Sequence, residues 1–293
     1  MIISQLSGGL GNQMFQYAAA QSLAWRLKTD CLVDTSALKI NIRKYELNIF
    51  SITPKIVKLY EIPFDFYLNR LPGFRLIEPW IGNRNLLFKK IKRYKEMTDF
   101  TFDSEFNRLY GNIYLEGHFQ SEKYFNQFAS KIRDAFTFKV SPTKPNIIIL
   151  DEIIKTNSIS VHIRRGDYIS DLATNQFHGT CPISYYESAF RLIKSLIKNP
   201  TFFVFSDDPD WTKKNIIPPG DTKYIGHNLN NLAYEDMRLM SKCKHHIIAN
   251  SSFSWWGAWL NPNPQKIVVA PKKWLSTEKF IIRDLIPQYW HQL

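Results

Sequence analysis

Two adjacent arginines at the end of an apolar run carry the clearest chemistry in this sequence. Residues 161–168 read V-H-I-R-R-G-D-Y. An apolar run followed by a turn signal predicts a strand of a covered sheet. That strand, 159–163, delivers Arg164, Arg165 and Asp167 at its end. Two chemistries fit the pattern. One is a structural ion pair with Asp167. The other is an anion clamp, because a guanidinium is always charged and its fork matches phosphate oxygens.

Ligands of open parallel sheets bind beyond the carboxyl ends of the strands, and the other predicted strand ends are polar too. The first strand, 1–6, ends in Gly8, Gly9, Gly11 and Asn12. Strand 201–205 ends in Ser206, Asp207 and Asp208, and strand 245–249 in Asn250, Ser251 and Ser252. Arginine and backbone amides suit phosphate, and a carboxylate can accept two hydrogen bonds from guanine. Each piece also has a plain structural reading. G-G-L-G-N-Q departs from G-x-G-x-x-G, since Met14 stands at the third glycine. Asp207-Asp208-Pro209 reads first as a turn or helix cap, and Asn250-Ser-Ser as the cap of a helix starting at Phe253, although such a helix end also binds phosphate. His245 and His246 are neighbours on a strand and point to opposite faces, which predicts one core and one surface histidine.

The elements that must position these residues are α/β. Helices are expected over 12–27, 121–136, 184–197, 234–241 and 253–260, and strands also over 31–34, 112–117 and 266–270. Strands alternating with helices imply parallel sheets covered on both faces. A Pro-rich stretch, 140–145, predicts a boundary between lobes 1–145 and 146–293, with the linker running on to Asn157. The region 45–110 is less regular. Within it, the run from Arg84 to Lys95 holds six basic residues and no acid.

The 293 residues suffice for a large core, and 38 basic against 26 acidic residues leave a net charge of +12, which favours anionic partners. Three scattered cysteines argue for a reducing compartment and against a disulfide framework or zinc site. No signal peptide and no membrane-spanning run are read.

Taken together, G-G-L-G-N-Q-M-F-Q-Y-A near the N-terminus, Y-L-E-G-H-F-Q-S-E-K-Y-F from Tyr114, H-I-R-R-G-D-Y from His162, F-S-D-D-P-x-W from Phe205 and H-H-I-I-A-N-S-S-F-S-W-W-G-A-W-L from His245 resemble the α-1,2-fucosyltransferases of glycosyltransferase family 11. The resemblance covers nearly the whole chain. It implies a GT-B architecture, two Rossmann-like lobes with the active site in the cleft between them. It implies inverting transfer from GDP-β-L-fucose to a sugar hydroxyl, typically the 2-OH of a galactose in an oligosaccharide or lipid-linked glycan. Carried over by motif, Arg164 would hold the diphosphate, His162 and Asp208 would contact the guanosine end, Ser251, Ser252 and Phe253 would close over the phosphates, and Asn250 would be a further donor-binding residue. Gly9, Gly11 and Asn12 would meet the donor from the other lobe.

Arg164 is then the candidate for stabilising the leaving group. The proton acceptor stays open among Asp167, Glu116, His118, His178 and Glu235, with Gln120 a further acceptor-side candidate. No metal and no cofactor are expected. The basic run from Arg84 to Lys95 is either a solvated face or a peripheral contact with an anionic membrane, which would keep the enzyme cytoplasmic at the inner membrane face. Two other readings remain. Asp34, ending the second strand, could be the ribose-binding acid of an NAD-dependent oxidoreductase. The net charge could serve nucleic acid, although no nucleic-acid motif is present.

Overall fold

The computed structural model describes residues 1–40, 43–58, 91–97, 100–166, 169, 171–277 and 280–293. The chain forms two compact units, Met1–Asn48 with Ile52–Ile132, and Ile49–Ser51 with Arg133–Leu293.

The first unit starts with strand β1 (Ile2–Gln5), helix α1 (Leu10–Arg26) and strand β2 (Cys31–Asp34). A short helix α2 (Ser36–Ile40) and strands β3 (Lys55–Ile56), β4 (Ile91–Lys95) and β5 (Asn112–Glu116) follow. The sheet order is β3-β2-β1-β5-β4, and all pairs are parallel. Ile2 and Ile3 are fully buried, and α1 buries Met14, Phe15 and Ala18–Ala20 completely. Three successive alanines let that helix sit close to the sheet. β4 falls inside the basic run and forms the sheet's edge. Charged side chains on an edge strand discourage further strand addition. Here Arg93 pairs with Glu116 and Lys92 lies over the Tyr110 ring. The rest of that run, from Arg84 to Lys90, lies outside the described residues.

The second unit contains helices α3 (Ala129–Ala135, which straddles the division), α4 (Lys144–Lys155), α5 (Leu172–His178), α6 (Ile183–Leu196), α7 (Pro209–Asn215), α8 (Ala233–Lys242) and α9 (Ser252–Leu260). Its strands are β6 (Asn157–Ile163), β7 (Pro200–Ser206), β8 (Asp221–Ile225), β9 (His245–Ile247), β10 (Val268–Ala270) and β11 (His291–Gln292). Read from its far edge, the order is β8-β7-β6-β9-β10-β11, again wholly parallel. This is the strand order of a doubly wound dinucleotide-type domain. One face packs Ile159, Val161, Phe202 and Val204 under Tyr186, Ala189, Phe190 and Ile193 of α6. The other packs Phe203, Phe205 and Ile225 under Leu239 and Met240 of α8 and Ile153 of α4. Sheets covered on both faces need apolar residues at successive positions, and β7 is buried throughout.

Two expectations change. The segment 121–136 is not one helix. Phe125 adopts φ −140°, ψ 1°, which interrupts the coil, so short 3-10 turns precede α3 and turn Tyr124 and Phe125 inward. The linker expected over 140–157 is largely α4. Thr143 precedes that helix and a proline stands in its first turn, so the proline starts a helix instead of ending one. No described helix is long and apolar enough to cross a membrane.

Candidate active site

In a doubly wound sheet the crevice lies where the strand order reverses. In the second unit that point falls between β6 and β9, so the segments 164–166 and 248–252 leave side by side. Asn250 is 2% exposed and its amide donates to the carbonyls of His178, Gly179 and Trp274 (3.0–3.1 Å). Its side-chain amide therefore holds the loop, a structural duty in place of the donor contact expected of it. Ser251 caps α9, its Oγ accepting the Phe253 N–H at 3.3 Å, and Ser252 opens the helix. Behind this end Trp255, Trp256 and Trp259 are fully buried.

The arginines resolve into two different arrangements. Arg164 Nη1 lies 2.9 Å from Asp207 Oδ2, and Asp207 Oδ1 accepts the Arg165 backbone N–H at 2.8 Å. A Cβ on Gly166 would sit 2.6 Å from Asp207 Oδ2, so the glycine of R-R-G is what lets the carboxylate approach the turn. Arg165 Nε donates to Asp208 Oδ2 at 3.0 Å and its guanidinium lies 3.4 Å from the Trp211 ring centre. Asp208 Oδ1 accepts the Trp211 N–H and caps α7. Asp208 thus is the cap its sequence suggested, with an arginine partner added. Among the described residues Arg164 pairs with Asp207; Asp167 lies outside them.

His162 is the penultimate residue of β6 and is 5% exposed. Among the described residues its Nδ1 is buried without a hydrogen-bond partner, and the Phe253 ring lies 5.7 Å away. A buried unsatisfied nitrogen costs about 1–3 kcal/mol unless a ligand or water meets it. Burial first, and then the Arg164 charge, lower its pKa to about 3. His246 is also buried and its pKa is lowered well below the usual value, again mainly by burial; its ring bonds Ser160 and Asn261. His245 is half-buried, so the core-and-surface expectation holds in its core half. In the unfolded chain His162 would titrate near 6.5. Its neutral form therefore contributes stability above that pH, which is lost as pH falls toward 3. Between pH 7 and 5.5 we expect His162 alone to remove about 1 kcal/mol. Denaturant unfolding at both pH values, with His162→Gln losing less than the wild type, checks this.

In the first unit the order reverses between β1 and β5. Gly8 has φ +71°, and a Cβ there would lie 2.5 Å from Asn12 Nδ2. Gly9 precedes α1, and Gly11 is buried in its first turn. Gln120 Nε2 donates to Asn12 Oδ1 at 2.8 Å, drawing the β5 exit onto the glycine turn. Gln13 donates to the carbonyls of Gly8 and Lys44 and accepts the Glu46 N–H. Gln16 accepts the Ser7 N–H and donates to the Gly117 carbonyl. The N-Q-x-x-Q part of the motif is thus a strap that fixes the turn. Glu46, which the sequence reading did not select, is held by its backbone N–H on Gln13, with its Oε2 3.9 Å from where a Gly9 Cβ would lie. It lies in an irregular stretch without a periodic pattern to single it out.

The base candidates separate. Glu116 is engaged by Arg93. The His118 backbone N–H donates to Glu96 Oε2 at 2.8 Å beside the glycine-117 turn. His178 ends α5, next to the Asn250 loop. Glu235 is fully buried in α8, paired with Arg238 at 3.1 Å and bonded by Asn146, which removes it as an acceptor-side base. Asp34 is 2% exposed and accepts from Ser36 and Tyr114. Those bonds consume the carboxylate that an NAD ribose would need.

Two parallel α/β units, one bringing arginine, a buried histidine and a capped helix end to its reversal point, define a GT-B glycosyltransferase. The chain belongs to glycosyl transferase family 11, whose profile matches residues 76–290. An alpha-1,2-colitosyltransferase of Escherichia coli is 34% identical over 99% of this chain and 98% of its own length. The galactoside 2-alpha-L-fucosyltransferase Sec1 of Mus musculus is 31% identical over 35% of this chain and 28% of its own. Among solved structures, fucosyltransferase NodZ from Bradyrhizobium matches with a TM-score of 0.50 at 17% identity, covering 89% of this chain and 92% of that one.

Proposed function

We propose that the enzyme transfers L-fucose from GDP-β-L-fucose to the 2-hydroxyl of a terminal galactose, inverting the anomeric centre and forming an α-1,2 linkage in a surface glycan. The observation that carries this is the grouping of Arg164, His162 and the α9 amino end at one reversal point. Breaking the C1–O bond leaves charge on the diphosphate, and preorganised donors aimed at that charge are the largest catalytic effect available. Arg164 supplies a fixed cation and the Ser251–Ser252 amides a helix end that favours anions. The unpartnered Nδ1 of His162, beside the Phe253 ring, fits a polar edge of the nucleoside. Asp208, with 37% of its side chain exposed, keeps surface for guanine while it caps α7. Gly9, Gly11 and Asn12, at the glycine turn of the first unit, belong to the proposed donor-binding residues.

A second reading is transfer of colitose, the sugar that lacks the 3-hydroxyl of fucose. The relative matching nearly full length favours it. Incubation of GDP-fucose and GDP-colitose in parallel with a panel of galactosides, followed by linkage analysis, tests both. Product linked at O2 of galactose from GDP-fucose is expected. Product from GDP-colitose alone would move the donor assignment, and linkage elsewhere would overturn the regiochemistry.

Asp207 and Asp208 are each engaged by an arginine, which supports a metal-independent mechanism. Activity in the same assay is expected to survive excess EDTA. Abolition with restoration by one specific metal would overturn that part. We place the enzyme in the cytoplasm, where its three cysteines, none bonded to another, would stay reduced. Contact with an anionic membrane through the run from Arg84 to Lys95 belongs to the same proposal.

A further inference from the structure

We propose that the amino-end edge of the second unit's sheet docks on an anionic lipid surface. The inference does not depend on the transferase reading, and it concerns the end of that sheet remote from the donor crevice.

The strands of the sheet are parallel, so the connections that enter them gather at one end. Side by side there run 216–220 before β8, 196–199 before β7, 154–156 before β6 and 242–244 before β9. Contacts tie these connections together. The Asn157 side-chain amide donates to the Lys198 carbonyl at 2.8 Å. The Lys244 N–H donates to the Ser158 carbonyl at 3.0 Å. A Cβ on Gly220 would lie 3.3 Å from the Pro200 carbonyl oxygen.

The first three of these connections each present a large aliphatic side chain to solvent. Ile217 is 74% exposed, Leu196 50% and Ile154 66%. Exposed aliphatics scattered singly are ordinary. These stand in neighbouring connections at one end of a sheet, and adjacent strands lie only about 4.8 Å apart.

The same end is basic. Lys155, Lys194, Lys213, Lys214 and Lys242 lie in the last turns of α4, α6, α7 and α8, and all are exposed. The helix dipole accounts for lysines in last turns. It does not account for exposed Lys198, which lies beyond the end of α6, or for the aliphatic row. Against these charges stand Asp221, the first residue of β8, and Asp151, one turn before Lys155. Glu152 is paired with Lys223 at 3.1 Å.

Aliphatic side chains set among lysines fit a bilayer of anionic lipid. The lysines meet the head groups, and the aliphatic ends enter the acyl boundary. A nucleic acid would match the charge and leave the aliphatic row against phosphate. A second copy of this chain, packed by the same face, would set lysines against lysines. The donor crevice of this unit lies at the opposite ends of the strands. The seven residues of β6 separate the two ends by roughly 20 Å, so lipid docking and donor binding do not compete.

The test is co-sedimentation of the full chain with phosphatidylglycerol vesicles and, separately, phosphatidylcholine vesicles. Binding to phosphatidylglycerol is expected, weaker in high salt, with little binding to phosphatidylcholine. Combining Ile154→Ser, Leu196→Ser and Ile217→Ser should weaken it about tenfold or more. Combining Lys155→Gln and Lys198→Gln should weaken it roughly 25-fold. Both variants should keep the wild-type melting temperature and the wild-type rate on a soluble galactoside. Vesicle binding by both variants at wild-type strength would overturn the inference. So would loss of binding only when the basic residues between Arg84 and Lys95 are replaced, which would move the lipid contact to the first unit. A wild type that ignores both vesicles would overturn it as well, and a dimer in gel filtration that the serine variant disperses would then make a second copy the occupant.

Discussion

Arg164→Lys is expected to lower kcat roughly 100- to 1,000-fold while the protein stays folded. Lysine keeps the positive charge, so Asp207 retains a partner and the turn after β6 retains its shape. What disappears is the planar fork, which spans two oxygens of a diphosphate where an ammonium meets one. A contact to the leaving group strengthens as charge develops, so its loss falls on kcat more than on donor affinity. That loss amounts to roughly 3–4 kcal/mol of transition-state stabilisation. Arg165→Lys provides the contrast. Its guanidinium is stacked on Trp211 and bonded to Asp208, so the substitution should lower the melting temperature and leave kcat near wild type. Steady-state rates and thermal unfolding of both variants decide the matter. Near wild-type turnover by a folded Arg164→Lys enzyme would remove Arg164 from the leaving-group site.

The role of these arginines was half visible in the sequence. Residue type and the place just after strand 159–163 marked both Arg164 and Arg165 as an anion clamp or an ion-pair partner. The partners were not visible. Asp207 and Asp208 stand more than forty positions away, and only the parallel pairing of β6 with β7 brings the two strand ends together. The strands of the second unit were legible because burial on both faces leaves unbroken apolar runs such as those in β6 and β7. β8 was missed for the converse reason: at the edge, with residues D-T-K-Y-I, it carries no such run. The 140–157 stretch misled because prolines mark both linkers and first helical turns. Asn250 and Glu235 were selected by residue type, and only their contacts reveal that their side chains already have structural partners. Glu46 lacks any periodic or motif signal, and its place depends on a glutamine thirty-three residues earlier in the chain.

The second large effect is on stability, and it bears on how the donor site is held. Trp255→Ala is expected to cost about 3–5 kcal/mol. Trp255 is fully buried, with ring centres of Trp256, Trp290 and Trp259 at 5.1, 5.5 and 6.1 Å. Its Nε1 donates to the Leu285 carbonyl at 2.8 Å. Alanine would leave a cavity among three indoles and strand that carbonyl. Trp255→Phe keeps most of the ring volume and loses only the donor, so its cost should be nearer the 1–3 kcal/mol of one unsatisfied buried group. The helix that bears this tryptophan begins at Ser252, and the same helix end is the proposed phosphate site. A loosened α9 would cost binding energy to re-order, so GDP should stabilise Trp255→Ala less than wild type at equal concentration. Denaturant unfolding followed by circular dichroism, with and without GDP, measures both effects. If Trp255→Ala matched the Trp255→Phe stability, the indole cluster would not be what anchors the helix, and the aim of Ser251 and Ser252 would have to come from the Asn250 clamp alone.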